Sequence, residues 1–224
     1  MGLELVVNFL VGLVVLAVIY ALAMGLWFVR SMKPTTGRPI GGYEKPQPAL
    51  LVVDIQEDLT GTTAHSRFGY KNAEQFIDTV NACIAAAAAR GLLIVYIGHE
   101  CPDTLICRLA FGGRLLRGGE GTRQDDRLTI ASGHYFAKER ADAFSSSQLE
   151  DFLIANQVDE VFVAGLDAVG CAYKTALGAV NRGYKAAVIL GAVRTLRRKT
   201  ADELTALYRQ GGIGVTDSAS FIGK

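Results

Sequence analysis

The sequence predicts an α/β domain on a parallel sheet covered by helices on both faces, preceded by one transmembrane helix. Three observations carry this. Apolar runs such as Ala49 to Ile55 and Leu92 to Ile97 are short and uninterrupted, as strands buried on both faces read. Segments with helical spacing alternate with them, and alternating strand and helix units make a parallel sheet. The segment from Leu5 to Val29 carries no charge over 25 residues.

As a helix that segment spans about 37 Å, against a hydrocarbon core of about 30 Å. A cleaved signal peptide is the competing reading, with Ala21-Leu22-Ala23 as its cleavage site. The segment lacks a basic leader, however, and apolarity continues through Trp27 and Phe28. Residues 1 to 30 therefore read as an anchor. Arg30, Lys33, Arg38 and Lys45 follow the span and no basic residue precedes it, so the positive-inside rule puts the N-terminus outside and the rest in the cytoplasm. Trp27 then sits at the inner interface.

Residues 31 to 48 hold four of the five prolines and read as an extended linker. Residues 49 to 224 form one domain. Within it the helices are expected over Asn72 to Arg90, with Asn72 as N-cap, from the Ser145 to Gln148 capping-box spacing through Ala155, over Gly170 to Asn181 and over Ala201 to Arg209. Strands are expected at Ala49 to Ile55, Leu92 to Ile97, Val161 to Leu166, Lys185 to Leu190 and Ile213 to Thr216.

Composition narrows the function. With 23 Lys and Arg against 22 Asp and Glu, the chain has no field for polyanions, so nucleic acid is not a partner. Four cysteines without paired spacing fit a reducing compartment better than a disulfide framework.

In a parallel sheet, ligands bind at the carboxyl ends of strands. Asp54 closes the first strand, where packing explains a carboxylate poorly. Cys171 opens a helix after Val161 to Leu166, and a helix N-terminus favours a thiolate. Lys138 ends the apolar stretch Tyr135-Phe136-Ala137. Together they offer a base, a nucleophile and a cation; singly, each also reads as a capping Asp, a buried Cys and a solvated Lys.

The runs Leu51-Val52-Val53-Asp54-Ile55-Gln56-Glu57-Asp58, Ala137-Lys138 with Ala143-Phe144, and Val163-Ala164-Gly165-Leu166 leading to Cys171, Thr175-Ala176 and Asn181-Arg182-Gly183-Tyr184 resemble the isochorismatase-like cysteine hydrolases over essentially all of 49 to 224. The resemblance implies a Rossmann-like, three-layer α/β/α sandwich with a mainly parallel sheet and, in the amidase branch, an Asp-Lys-Cys triad. Asp54 is then the general base, Lys138 the cation and Cys171 the nucleophile, whose presence argues against the isochorismate-cleaving branch. His99, just after its strand, reads as lining the mouth of the pocket, with simple loop packing as the alternative, and Gln56, Leu166 and Asp167 are expected with it as substrate-binding residues. The resemblance implies a cis peptide between Leu166 and Asp167. Ala168-Val169 stands where many of the amidases carry Thr-Asp. Only Ile97-Gly98-His99-Glu100 stands where nicotinamidases carry further metal-binding histidines, so no metal and no cofactor are expected.

Other features read more plainly. His99, Cys101, Asp103 and Cys107 have no paired C-x-x-C spacing for zinc. The glycines from 112 to 121 read as a surface loop, with a mobile lid as the alternative. Arg194, Arg197, Arg198 and Lys199 read as a solvated helix face, with lipid headgroups as the alternative. The sequence thus describes a membrane-anchored, single-pass cysteine hydrolase of a small-molecule amide or related C-N substrate. The alternative is a non-catalytic accessory subunit of a membrane complex; a homo-oligomer is left open.

Overall fold

The computed structural model describes residues 2–61 and 69–223. It opens with α1, Gly2–Met32, a helix with apolar side chains exposed along most of its length and a mean hydropathy of 2.8 over its most apolar 18 residues. It is long and apolar enough to cross a membrane.

Six parallel strands follow in the spatial order β3-β2-β1-β4-β5-β6. They are β1 (Gln47–Val53), β2 (Leu93–His99), β3 (Tyr135–Lys138), β4 (Val158–Leu166), β5 (Lys185–Arg194) and β6 (Gly214–Asp217). The order reverses between β1 and β4, and the crevice at such a switch point is where doubly wound sheets bind ligands. β1 lies in the middle of the sheet, so both of its faces are buried. Ala49, Leu51 and Val53 pack with residues of α4 (Ser147–Ala155), α5 (Cys171–Val180) and α6 (Ala201–Gln210). Leu50 and Val52 pack on the other face with α2 (Glu74–Ala89) and with Phe221 of α7 (Ser218–Ile222). Helix, sheet and helix make three layers, and this double burial is why the strand shows no polar alternation. Each fully buried Leu, Ile or Val contributes about 1.5–3 kcal/mol.

Gly165 meets a requirement no other residue fits. Its φ is +111°, and a Cβ there would run into the Val53 backbone on the paired strand.

Several sequence expectations need correction. β3 was not expected as a strand, nor were α3 (Leu105–Phe111) and α7 as helices. Asn72 does not cap α2: it is left-handed at φ +54°, and Ala73 precedes the helix without a side-chain bond. The box at Ser145 to Gln148 does not form, since Ser145 ends a 3-10 turn, Ala143–Ser145, and Ser146 caps α4 without a side-chain bond. A capping box does form at Thr200 and Glu203, opening α6. Cys101 and Cys107, six residues apart, are joined in a disulfide between β2 and α3. The arginines are not on a helix face: Arg197 and Arg198 lie between β5 and α6, and Arg194 donates to the carbonyls of Lys71 and Asn72.

Residues 33 to 46 are irregular, but the domain holds them closely. Thr35 donates through its amide and hydroxyl to Asp142 Oδ2 at 2.7 and 2.6 Å, and Arg182 donates to Thr35 O at 3.2 Å. Arg182 is itself paired with Glu150 at 3.0 Å. The end of α1 is bonded as well, because Ala141 N donates to Ser31 O at 2.9 Å and Arg140 donates to Arg30 O.

Candidate active site

Four strand ends converge at the carboxyl edge of the sheet. Asp54 follows β1, His99 ends β2, Lys138 ends β3 in register with His99, and Cys171 opens α5 after β4. Asp54 has φ +55°, a conformation uncommon for a residue with a Cβ and concentrated at functional sites.

Lys138 Nζ donates to Asp54 Oδ2 at 2.8 Å and stands 3.2 Å from His99 Nδ1. The Lys138 side chain is 0% exposed, so its charge is balanced only by what surrounds it. A carboxylate oxygen of Asp54, a ring nitrogen of His99 and Cys171 Sγ lie within 4.8 Å of one another. The sequence-derived base, cation and thiol are therefore brought together.

Burial raises the pKa of Asp54 above the ordinary carboxylate range, while Lys138, the Cys171 thiol and the His99 backbone oppose it. The result is a more basic carboxylate. Burial works against the Lys138 ammonium, but the charges of Asp54 and Cys171 outweigh it and its pKa rises. Burial, then Lys138, lowers His99 well below its usual value, leaving a neutral ring. The thiol departs from the sequence expectation. Burial pushes Cys171 up to about 12, Lys138 pulling it down and Asp54 pushing it up. It rests protonated beside a base, not as a preformed thiolate.

Asp54, His99, Leu166, Asp167 and Cys171 all line one cavity of about 730 Å³. Gln56, also expected as a substrate-binding residue, is not among the residues that line it. It is buried, accepts from His99 N at 2.8 Å, and donates to His99 O at 3.2 Å and Thr122 O at 2.8 Å. Gln56 thus positions the end of β2. Tyr70, missed in the sequence for want of any local signal, lines the cavity and donates to Asp167 Oδ2 at 2.6 Å. The peptide between Leu166 and Asp167 is cis. Arg114 and Leu115 of the glycine-rich loop also line the cavity.

Asp54, His99 and Cys171 are close enough to be considered as metal ligands. The Lys138 ammonium already bonds Asp54 and faces His99, so a cation placed among the three would meet a fixed positive charge. The residues do not fit a metal. The disulfide also removes Cys101 and Cys107 from any zinc site.

A six-stranded parallel sheet with a thiol, a carboxylate and an ammonium gathered at its carboxyl edge defines a doubly wound α/β domain with a candidate thiol-based site. The isochorismatase domain model matches residues 48–220, and the chain belongs to the isochorismatase family. An N-carbamoylsarcosine amidase structure from Thermoplasma acidophilum superposes with a TM-score of 0.65 at 28% identity, covering 77% of this chain and 96% of that one. An N-carbamoylsarcosine amidase from an Arthrobacter species is 39% identical over 62 residues, 27% of this chain and 24% of its own length. A probable inactive nicotinamidase from Arabidopsis thaliana is 26% identical over 147 residues, 61% of this chain and 74% of that one.

Proposed function

We propose that this protein is a thiol-dependent hydrolase of an amide or related C-N bond, held at a membrane by residues 5–29 with its domain on the cytoplasmic side. The observation that carries the chemistry is the buried Lys138–Asp54 pair set against the Cys171 thiol. Likeness to N-carbamoylsarcosine amidase supports an amide as the substrate class.

In this mechanism Asp54 takes the thiol proton as the sulfur attacks the substrate carbonyl. Lys138 balances the negative charge, which passes from carboxylate to sulfur and then to the tetrahedral adduct. The N-H of Cys171, in the first turn of α5 where no intrahelical acceptor exists, is the donor proposed for the oxyanion. One such donor is worth about 3 kcal/mol. Asp54 returns the proton to the leaving nitrogen, the amine departs, and water activated by the same carboxylate releases the acyl group.

The basic residues after the apolar span support a cytoplasmic domain. The Cys101–Cys107 disulfide pulls the other way, since such bonds persist mainly in oxidising compartments. Flanking charge acts while the helix inserts, and both cysteines are buried, which slows a reductant's attack. The orientation proposed here therefore follows the charge asymmetry.

Likeness to a probable inactive nicotinamidase, with Ala168-Val169 before the thiol, favours a second reading as a non-catalytic subunit. Turnover of an amide panel including N-carbamoylsarcosine and nicotinamide, by full-length chain in mild detergent, separates the two. Release of amine or ammonia that Cys171→Ala abolishes supports the hydrolase; equal release by wild type and Cys171→Ala overturns it.

A further inference from the structure

The cavity that reaches the thiol is walled on one side by the apolar N-terminal helix. Met24, Gly25, Trp27 and Phe28 of α1 line it together with Asp54 and Cys171. The contact is anchored: Trp27 packs edge-on against Phe111 of α3, ring centroids 6.4 Å apart, and Phe111 lies 5.0 Å from the His99 ring. Hydrogen bonds from Ala141 and Arg140 fasten the end of α1 beside it.

Length arithmetic places this wall. A hydrocarbon core of about 30 Å takes up about 20 helical residues. Counted from Leu5 that depth ends near Met24, so residues 25 to 29 fall at the headgroup boundary, where Trp is favoured. Gly25, Trp27 and Phe28 among them border the cavity, with Met24 just before and Ser31 and Met32 just after. The surrounding surface is apolar too: α3 leaves Leu105 66% and Leu109 56% exposed, and Leu196, which lines the cavity, is 49% exposed. An amide group alone needs little of a cavity this size, which is in the range that encloses a drug-sized molecule.

We infer that the substrate is an amphipathic amide carrying an apolar chain, taken from the membrane interface, with its carbonyl at Cys171 and its chain along Met24, Gly25 and Phe28. The inference rests on the membrane-anchored hydrolase reading and narrows it. The reaction balances as amide plus water giving a carboxylic acid plus ammonia or amine; the C-N bond breaks, a transient thioester forms on Cys171, and water supplies the oxygen. A headgroup-sized amide would leave the α1 wall unused.

The test uses full-length protein in phosphatidylcholine vesicles. Cys171 is alkylated with iodoacetamide and with its N-hexyl and N-dodecyl derivatives, and rates are read by peptide mass spectrometry. A Cβ at Gly25 meets no atom within 4 Å, and Gly25→Phe adds a ring at a position that lines the cavity. Wild type should label faster as the chain lengthens, and Gly25→Phe should cut the N-dodecyl rate about tenfold more than the iodoacetamide rate, equivalent to about 1.4 kcal/mol. Phe28→Ala should lessen the chain-length preference by removing apolar wall. Rates independent of chain length, or a Gly25→Phe variant that labels with all three reagents as wild type does, would overturn the inference. Hydrolysis of acetamide and dodecanamide in the same vesicles judges the parent reading separately. Chain-dependent labelling with no Cys171-dependent hydrolysis would refute the hydrolase while retaining the apolar site.

Discussion

Lys138 Nζ reaches Asp54 Oδ2 at 2.8 Å although their strands, β3 and β1, are separated by β2. The lysine crosses the end of β2, passing His99, and delivers its charge to the switch point. Removing either partner leaves the other buried and unpaired, which costs about 3–5 kcal/mol. Asp54→Asn and Lys138→Met should each lower the denaturation midpoint substantially and reduce turnover by roughly a hundredfold or more. The double variant should regain much of the stability and none of the activity. Equal stability of both single variants and wild type would contradict a buried ion pair.

The pH dependence follows from the thiol. Its value is raised from 9.0 to about 12, so the fold favours the neutral form and this stabilisation is complete below the unfolded value. As pH rises through that value the unfolded chain ionises first, and stability falls until the folded thiol also ionises. Alkylation of Cys171 should therefore keep rising with pH beyond the neutral range. Cys83, pushed up to about 11 by burial and fully enclosed, should label more slowly because reagents cannot reach it. A labelling plateau near neutral pH would mean a preformed thiolate.

Much of this site was legible because β1 and β4 are buried on both faces, which makes Asp54 and Cys171 stand out at their ends. Lys138 stood out at the polar end of a short apolar stretch, yet that stretch did not read as a strand, because β3 has only four residues and begins with the exposed Tyr135. The disulfide escaped because a six-residue separation matches neither a metal nor a framework spacing. The Thr35–Asp142 bond joins residues 107 apart and leaves no local trace. Hydrophobic periodicity likewise cannot show that the end of α1 turns toward the catalytic cavity.

Chelation offers an independent test of the electrostatic argument. With an ammonium fixed between Asp54 and His99, amide turnover should survive exhaustive treatment with a chelator. Loss of activity that returns on adding zinc, iron or manganese would show that a metal displaces Lys138.

Gln56 should prove a positioning residue. Gln56→Ala leaves His99 N, His99 O and Thr122 O without their buried partner, each lost bond costing about 1–3 kcal/mol. The variant should be less stable, with kcat reduced more than KM changes, because His99 and the β2 end shift relative to Lys138. Gln56→Glu keeps an acceptor for His99 N but turns a carboxylate toward the His99 and Thr122 carbonyls, so it should not recover the loss. A rise in KM alone would instead mean that Gln56 meets the substrate directly.

Orientation is the last test, and two features pull on it in opposite directions. The four basic residues after the apolar span should hold residues 31 to 224 in the cytoplasm, bound to membranes through high-salt washing because apolar insertion does not depend on charge. A reporter fused after Lys224 that works only outside the cytoplasm should stay silent, and converting Arg30, Lys33, Arg38 and Lys45 to Gln should raise its signal. Thiol counting on rapidly alkylated cells checks the disulfide: two alkylated cysteines, Cys83 and Cys171, are expected after denaturation without reductant, and four with it. An active reporter on the unmodified chain would reverse the topology and place both disulfide and active site on the outer face.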